Sequence, residues 1–495
     1  MALMTTASYD VATTPSFKAA WWTPWLAWPV IAAAVLRLTV AAILVAQNGI
    51  SVLLHADTSS YLIPGRNLLL HGQFMADGVP DLFRTPGYPL FLVLTILAGV
   101  HAAVAINVIL SVFSVILVWK LGRAVFDNER IALGAAWLFA FEPIAVTSSL
   151  VLTSETLFLA LYLLSMERLA EFLRGRRLPA LAAAGLWLAA ATLVRPVTYY
   201  LPIFLALGLF LVLARVPGLP PQRHGPVARA PGLRWKAPAV LLISVFPWLA
   251  AWQARNWVET RYSGITSITD NNLYFLAAAN LTAHLEHRPS FDVITEWGYV
   301  DFTGNSGQSY LFQPYLKQHP EQVGWSQTQR LAFMHSQSVR IIRAHPVVYL
   351  SLCLTDLLRT VFNPVVYYFD SSLHPKHSAH AFGVAKWGLP GLQLLLSKAK
   401  VDPFLAAETI ISEIVLLVVY MFAARGVLLA ARGTYGRSLH KMFLWFLLGT
   451  SLYFLAVSVA EVMGPLATAR YRLPVMPVVC ILAAAGFRRA KTVET

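Results

Sequence analysis

Charge is what this sequence has least of. Only 13% of its 495 residues are Asp, Glu, Lys or Arg, against roughly 25% in a soluble globular domain. The shortfall runs along the whole chain, with 57% hydrophobic residues and a mean hydropathy of +0.60. That excludes a soluble domain carried on one anchor and leaves a polytopic membrane protein. Cysteine is almost missing. Cys353 and Cys480 lie far apart, so neither a disulfide nor a cysteine-based metal site is expected. The sequence shows no internal repeat, low-complexity tract or heptad run. No P-loop or GxGxxG fingerprint marks the cytoplasmic side assigned below, which argues against a nucleotide or nucleotide-sugar site there. The net charge of +14 would point to nucleic acid in a soluble protein. Here the bases cluster at the ends of apolar runs, so they report membrane topology and no nucleic-acid partner is expected.

What is present is a succession of apolar runs near the length of roughly 20 residues that a spanning helix needs. They fall near 25–47, 101–122, 131–149, 154–172, 180–194, 198–215, 238–257, 404–425, 441–461 and 471–487. The expected fold is therefore an all-α polytopic membrane protein of about ten transmembrane helices, with a mixed extracytoplasmic domain. Residues 1–257 form an N-terminal transmembrane module including the outer loop 48–100. Residues 258–403 form the outer domain, and 404–495 the C-terminal helices. Lys18, Trp21, Trp22, Trp25 and Trp28 read as an interfacial anchor before an uncleaved first span. Segment 88–99 is apolar but short, and is expected to lie at or dip into the outer surface. Two further helical runs, 346–362 and 381–397, are placed along the membrane or as a hairpin.

Sidedness follows from the bases. Lys120, Arg123 and Arg130, then Arg168, Arg174, Arg176 and Arg177, then Arg215, Arg223, Arg229, Arg234 and Lys236, then Arg425, Arg432, Arg437 and Lys441, and Arg488, Arg489 and Lys491 all fall on one face. That face is assigned to the cytoplasm of an inner (plasma) membrane, and the opposite face carries Asp57.

Ionisable groups near membrane depth are costly and so are candidate functional groups. Asp57 follows the first span. A carboxylate against apolar surface has a raised pKa and can act as a general base; its alternative role is to cap the helix starting near Thr58. Arg84 sits in Arg84-Thr85-Pro86-Gly87-Tyr88-Pro89. Its planar fork suits a phosphate, and its plainer role is to snorkel at a turn. Glu155 is either a second acid in the same cleft or an acidic residue favoured at a helix start; Glu142 is a weaker candidate of that kind. Arg195, Arg255, Arg470 and Arg472 end or begin spans on the outer face, where the positive-inside tendency disfavours them. A shared anionic ligand explains them together, and headgroup contact explains each alone. His374, His377 and His380, and His284 with His287, have spacings a metal can use, but no metal site is expected. Asn280-Leu281-Thr282 fits a glycosylation sequon.

The order of Asp57-Thr58-Ser59-Ser60-Tyr61, Gly72-Gln73-Phe74, Arg84-Thr85-Pro86-Gly87-Tyr88-Pro89, Ser154-Glu155, Arg195-Pro196, Arg255-Asn256 and Arg470-Tyr471-Arg472-Leu473-Pro474 resembles the GT-C superfamily of membrane glycosyltransferases. It looks most like the family 39-like branch, related to protein mannosyltransferases and the aminoarabinose transferase. The resemblance covers about 25–260 and the last helix, and no motif in 258–403 matches. It implies a polyprenyl-phosphate-linked sugar donor at the outer leaflet and an acceptor that is a lipid, glycan or protein. Asp57 would be the base on the acceptor hydroxyl, assisted by Glu155. Arg84 would hold the lipid phosphate, where some relatives carry Lys, and Arg195, Arg255, Arg470 and Arg472 would support it. Tyr61 and Tyr88 would line the same site. Some relatives have Asp where this chain has Glu155. The resemblance implies inversion at the anomeric carbon and no cofactor. A transporter or flippase of a lipid-linked or envelope substrate is the principal alternative, but it would place polar groups at the midplane and often show repeats. A non-catalytic assembly factor, with 258–403 as its binding module, is the other.

Overall fold

The computed structural model describes residues 23–55, 57–215, 232–298, 315–362, 403–432, 438–461 and 469–487. Lys18, Trp21, Trp22, Arg223, Arg229, Arg437, Arg488, Arg489 and Lys491, the helical run 381–397 and the histidines His374, His377 and His380 lie outside the described residues.

Each of the ten apolar segments is helical. In chain order the elements are α1 (Ala27–Asn48), α2 (Thr58–His71), a two-stranded hairpin of β1 (Met75–Ala76) and β2 (Val79–Pro80), α3 (Gly87–Ile96), α4 (Val100–Phe126), α5 (Glu129–Ala140), α6 (Pro143–Leu150), α7 (Glu155–Gly175), α8 (Leu178–Val194), α9 (Leu201–Arg215) and α10 (Leu233–Thr260). Residues 258–403 contribute α11 (Ile268–Asn272), a π-helix (Leu273–Ala278), α12 (Ala279–Leu285), α13 (Ser290–Glu296), α14 (Gln327–Ala344) and α15 (Pro346–Phe362) among the described residues. The chain closes with α16 (Pro403–Ala431), α17 (Ser438–Ala460), a 3₁₀ turn (Ala469–Arg472) and α18 (Met476–Gly486).

The fold is the expected helical membrane bundle, but the count of ten spans is not reproduced. Among the described residues, six helices are long and apolar enough to cross a bilayer, or up to eight if the two bent pairs, α5 with α6 and α14 with α15, each count as one. Helices α8 and α18 are short for a crossing, and the C-terminal half of α7 is interrupted by Glu167, Arg168 and Glu171. Helix α3 has only 10 residues, about 15 Å of rise, half of a bilayer core.

The break between α5 and α6, a bend of 51°, has a local cause. Pro143 has no N–H to continue the ladder. The groups freed at the break are met by two charges. The Glu142 carboxylate accepts from the Ala145 N–H at 2.6 Å. Arg37 of α1, fully buried, donates from Nη1 to the Ala140 carbonyl at 2.9 Å and from Nε to Ser111 Oγ at 2.8 Å. Irregular backbone at membrane depth persists only where it is satisfied in this way.

Close helix contact elsewhere relies on small residues, as in other bilayer proteins. Helices α16 and α18 cross so tightly that a Cβ on Gly426 would sit 2.0 Å from the Leu482 carbonyl oxygen. At the basic end, Lys120 of α4 pairs with Glu167 of α7 at 3.5 Å, and Arg123 pairs with Glu129. The acidic candidates lie at the other ends of these helices.

Candidate active site

Helix α2 starts directly after Asp57, yet the Asp57 side chain makes no capping bond. It turns instead to two guanidiniums. Arg84 Nη2 donates to Asp57 Oδ1 at 3.0 Å, and Arg470 Nη1 lies 3.3 Å from Oδ2. The capping role is therefore set aside. His55 Nδ1 lies 3.5 Å from the same carboxylate. It accepts the Asp57 backbone N–H at 3.1 Å. Burial, followed by the nearby Arg470, pushes the imidazole pKa down.

Arg84 is held rigidly. Its Nε and Nη2 donate to Ser60 Oγ at 3.0 and 2.7 Å, Nη1 donates to the Tyr61 hydroxyl at 2.9 Å, and the guanidinium carbon lies 4.0 Å from the centre of the Tyr61 ring. Tyr88 is fully buried and packs edge-on against Tyr61 at 4.7 Å. It buttresses Tyr61. The backbone around Arg84 is fixed by Asp81, whose Oδ1 accepts from the N–H groups of Phe83 and Arg84 at 2.6 and 3.0 Å. Thr266 and Ser267 of the outer segment then donate to the Phe83 and Leu82 carbonyls at 2.6 and 2.7 Å.

Glu155 opens α7 and is buried. It pairs with Arg195 at 2.5 Å and lies 3.9 Å from Arg470 Nη1. Ser154 is likewise released from capping: its Oγ accepts from Arg195 Nη1 at 3.3 Å and lies 3.2 Å from the Tyr61 hydroxyl. The close packing of Gly87 joins the two halves. A Cβ there would stand 2.7 Å from the carbonyl oxygen of Leu193. The turn carrying Arg84 thus rests on the end of α8, two residues before Arg195.

Asp57, Glu155, Arg84, Arg195, Arg470 and Tyr61 are therefore brought together. Three guanidiniums from distant parts of the chain meet these two carboxylates. One expectation is reversed here. Burial alone would raise the Asp57 pKa, but the Arg84 and Arg470 charges outweigh it and hold the carboxyl below the usual carboxylate range.

Two arginines lie elsewhere. Arg255 donates to the Asp81 and Phe74 carbonyls at 2.8 and 2.5 Å and packs over Trp252. It braces the loop that carries Arg84 instead of lining the cleft. Arg472 is buried and donates to the Val361 carbonyl at 2.9 Å, capping the end of α15. The end of a helix presents unpaired carbonyls, and a guanidinium suits them. Glu142 is occupied at the α5–α6 break. Asn280 is buried within α12, which is a poor position for a glycan, since attached glycans lie on the surface. His284 and His287 are exposed, and no group of three or more metal-ligating side chains occurs among the described residues. Sequence reasoning passed over His55, Ser60 and Ser154 as individual contributors. Their only signal was adjacency to a singled-out acid or tyrosine.

Residues 86–219 match the family described as dolichyl-phosphate-mannose-protein mannosyltransferase. Over that stretch, which includes Glu155 and Arg195, the resemblance to GT-C enzymes holds; Asp57, Arg84 and Arg470 lie outside it. No curated protein matches the chain. Among solved structures, the chain is similar to the Archaeoglobus fulgidus oligosaccharyltransferase in its apo form, with a TM-score of 0.47 at 12% identity over 93% of this chain and 50% of that one. It is also similar to the oligosaccharyltransferase AglB of the same organism in complex with an inhibitory peptide and a dolichol-phosphate, with a TM-score of 0.44 at 14% identity over 94% of this chain and 50% of that one. The chain spans half the length of these structures.

Proposed function

We propose that this protein is a glycosyltransferase that moves a sugar from a polyprenyl-phosphate donor to an acceptor hydroxyl at the extracytoplasmic face of the membrane. The observation that carries this reading is the convergence of Arg84, Arg195 and Arg470 on Asp57 and Glu155. The match of residues 86–219 to the mannosyltransferase family supports it.

Transfer from a phosphodiester needs a base on the nucleophile and fixed positive charge on the departing phosphate. Asp57 takes the proton of the acceptor hydroxyl as its oxygen attacks the anomeric carbon. The bond from that carbon to the phosphate oxygen breaks on the opposite face, which inverts the centre. Arg84, Arg195 and Arg470 hold the phosphate that leaves, and Glu155 orients Arg195 and Arg470. A carboxylate paired with two guanidiniums is a weak base. When the donor phosphate shares those guanidiniums, their hold on Asp57 loosens and its basicity rises, so donor binding itself prepares the base.

The test is mass spectrometry of envelope lipids and glycans from membranes carrying the wild-type chain or Asp57→Asn. The variant is expected to insert and fold but to abolish the transfer product. Retained transfer in that variant would remove Asp57 from the mechanism.

A further inference from the structure

Glu461 and Asn272 stand beside this cleft without a part in the chemistry above. Glu461 is the first residue beyond α17, whose end is fixed by the Tyr349 hydroxyl donating to the Ala460 carbonyl. Asn272 is the last residue of α11, directly before the π-helix; such irregular turns are frequent at functional sites. Asn272 Nδ2 donates to Glu461 Oε2 at 2.8 Å.

The segment that carries Asn272 touches both halves of the guanidinium cluster's support. Thr266 and Ser267 hold the loop of Arg84. Tyr471, next to Arg470, packs against the small apolar core of Leu276, Ala279 and Val293. The Asn272–Glu461 contact is a polar contact of the same segment. It lies within electrostatic reach of Arg195, whose guanidinium also pairs with Glu155.

Building on the functional reading above, we propose that Glu461 and Asn272 form the subsite that reads hydroxyl groups of the sugar carried on the lipid phosphate. Among the described residues, their bond uses one of the two amide N–H groups and one of the carboxylate's acceptor positions, leaving a second amide N–H on Asn272 and acceptor positions on both side chains. A sugar hydroxyl both donates and accepts, so it suits a carboxylate beside a carboxamide. A half-buried pair of this kind discriminates strongly. A site built to bond a hydroxyl rejects a ligand that lacks it far better than an apolar pocket does.

The experiment measures equilibrium binding of the purified full chain in lipid nanodiscs. The probes are undecaprenyl phosphate and the same lipid phosphate bearing mannose, glucose, galactose or aminoarabinose. The wild type is expected to bind at least one sugar-bearing probe more tightly than the bare lipid. Glu461→Ala and Asn272→Ala are expected to lose that preference by about tenfold or more, while affinity for bare undecaprenyl phosphate stays within about twofold and reports an intact fold. If Glu461→Ala does not fold, Glu461→Gln and Asn272→Ala carry the same comparison. The subsite is overturned if the variants keep the wild-type preference. It is also overturned if the wild type binds bare lipid as tightly as every sugar-bearing probe, although the phosphate site then stands. Failure to bind any of the lipids would sink the functional reading and the subsite together.

Discussion

Arg470 Nη1 lies 3.3 Å from Asp57 Oδ2, across a sequence separation of 413 residues. The same nitrogen is 3.9 Å from Glu155 Oε1. One guanidinium from the 3₁₀ turn before α18 thus links the acid that precedes α2 to the acid that opens α7. Arg470→Ala and Asp57→Asn are each expected to lower the unfolding temperature in detergent. The double variant should lose less than the sum, with a coupling of about 1 kcal/mol or more, because the partners are in contact. Additive losses would show that the pair contributes nothing to the fold.

The pH dependence of that pair has a definite sign. The folded-state pKa of Asp57 is depressed, so its contribution to stability is present above the ordinary carboxylate pKa of about 3.9 and is lost as pH falls through the lower folded value. The stability difference between wild type and Asp57→Asn should hold steady from about pH 5 upward and shrink below about pH 4. Unfolding curves across that range measure it, and a difference that grows on acidification contradicts the ion pair.

Gly87 holds two arginines in register. Gly87→Ala places a methyl group 2.7 Å from the Leu193 carbonyl oxygen, which backbone has to relieve by moving. Such overpacking costs typically about 1–3 kcal/mol, and here it separates Arg84 from Arg195. Transfer activity is expected to fall by about tenfold or more, with a smaller effect on membrane insertion. Full activity would show that the spacing of the two arginines is not critical.

Arg470 and Arg472, two positions apart, are expected to behave differently. Arg472→Gln removes a buried donor from the Val361 carbonyl and should cost about 1–3 kcal/mol of stability. Where the protein remains folded, transfer should continue. Arg470→Gln should lose transfer while remaining folded. Comparing specific activity per folded molecule separates the two, and equal losses of activity would restore Arg472 to the site.

Much of this was readable in the residues because the bilayer imposes simple rules. Apolar length gave the helical segments. The fork beside the Pro-Gly turn picked out Arg84, and arginines at span ends picked out Arg195 and Arg470. What the sequence concealed was partnership. Arg255 and Arg472 carry the same local signal as Arg470, an arginine beside a span end, yet they serve the Asp81 and Val361 carbonyls. No spacing rule foretells which backbone carbonyl tertiary packing will leave nearby. The direction of the Asp57 pKa was hidden for the same reason: burial was visible in the sequence, and the two cations that overcome it were not. The α5–α6 break lies inside what reads in the sequence as one span, 131–149, and neither the break at Pro143 nor its support by Arg37 was drawn from the sequence.

The reach from Asp57 to Arg470 also bears on biosynthesis. As the chain leaves the ribosome, its early helices enter the bilayer with two carboxylates already in place and only some of their cations. The remaining cation is delivered with the final hairpin. A nascent product that stops before residue 469 would therefore hold two acids matched by two cations, Arg84 on Asp57 and Arg195 on Glu155, without the third guanidinium that bridges them. The link between the two ion pairs forms only once residue 470 has been made.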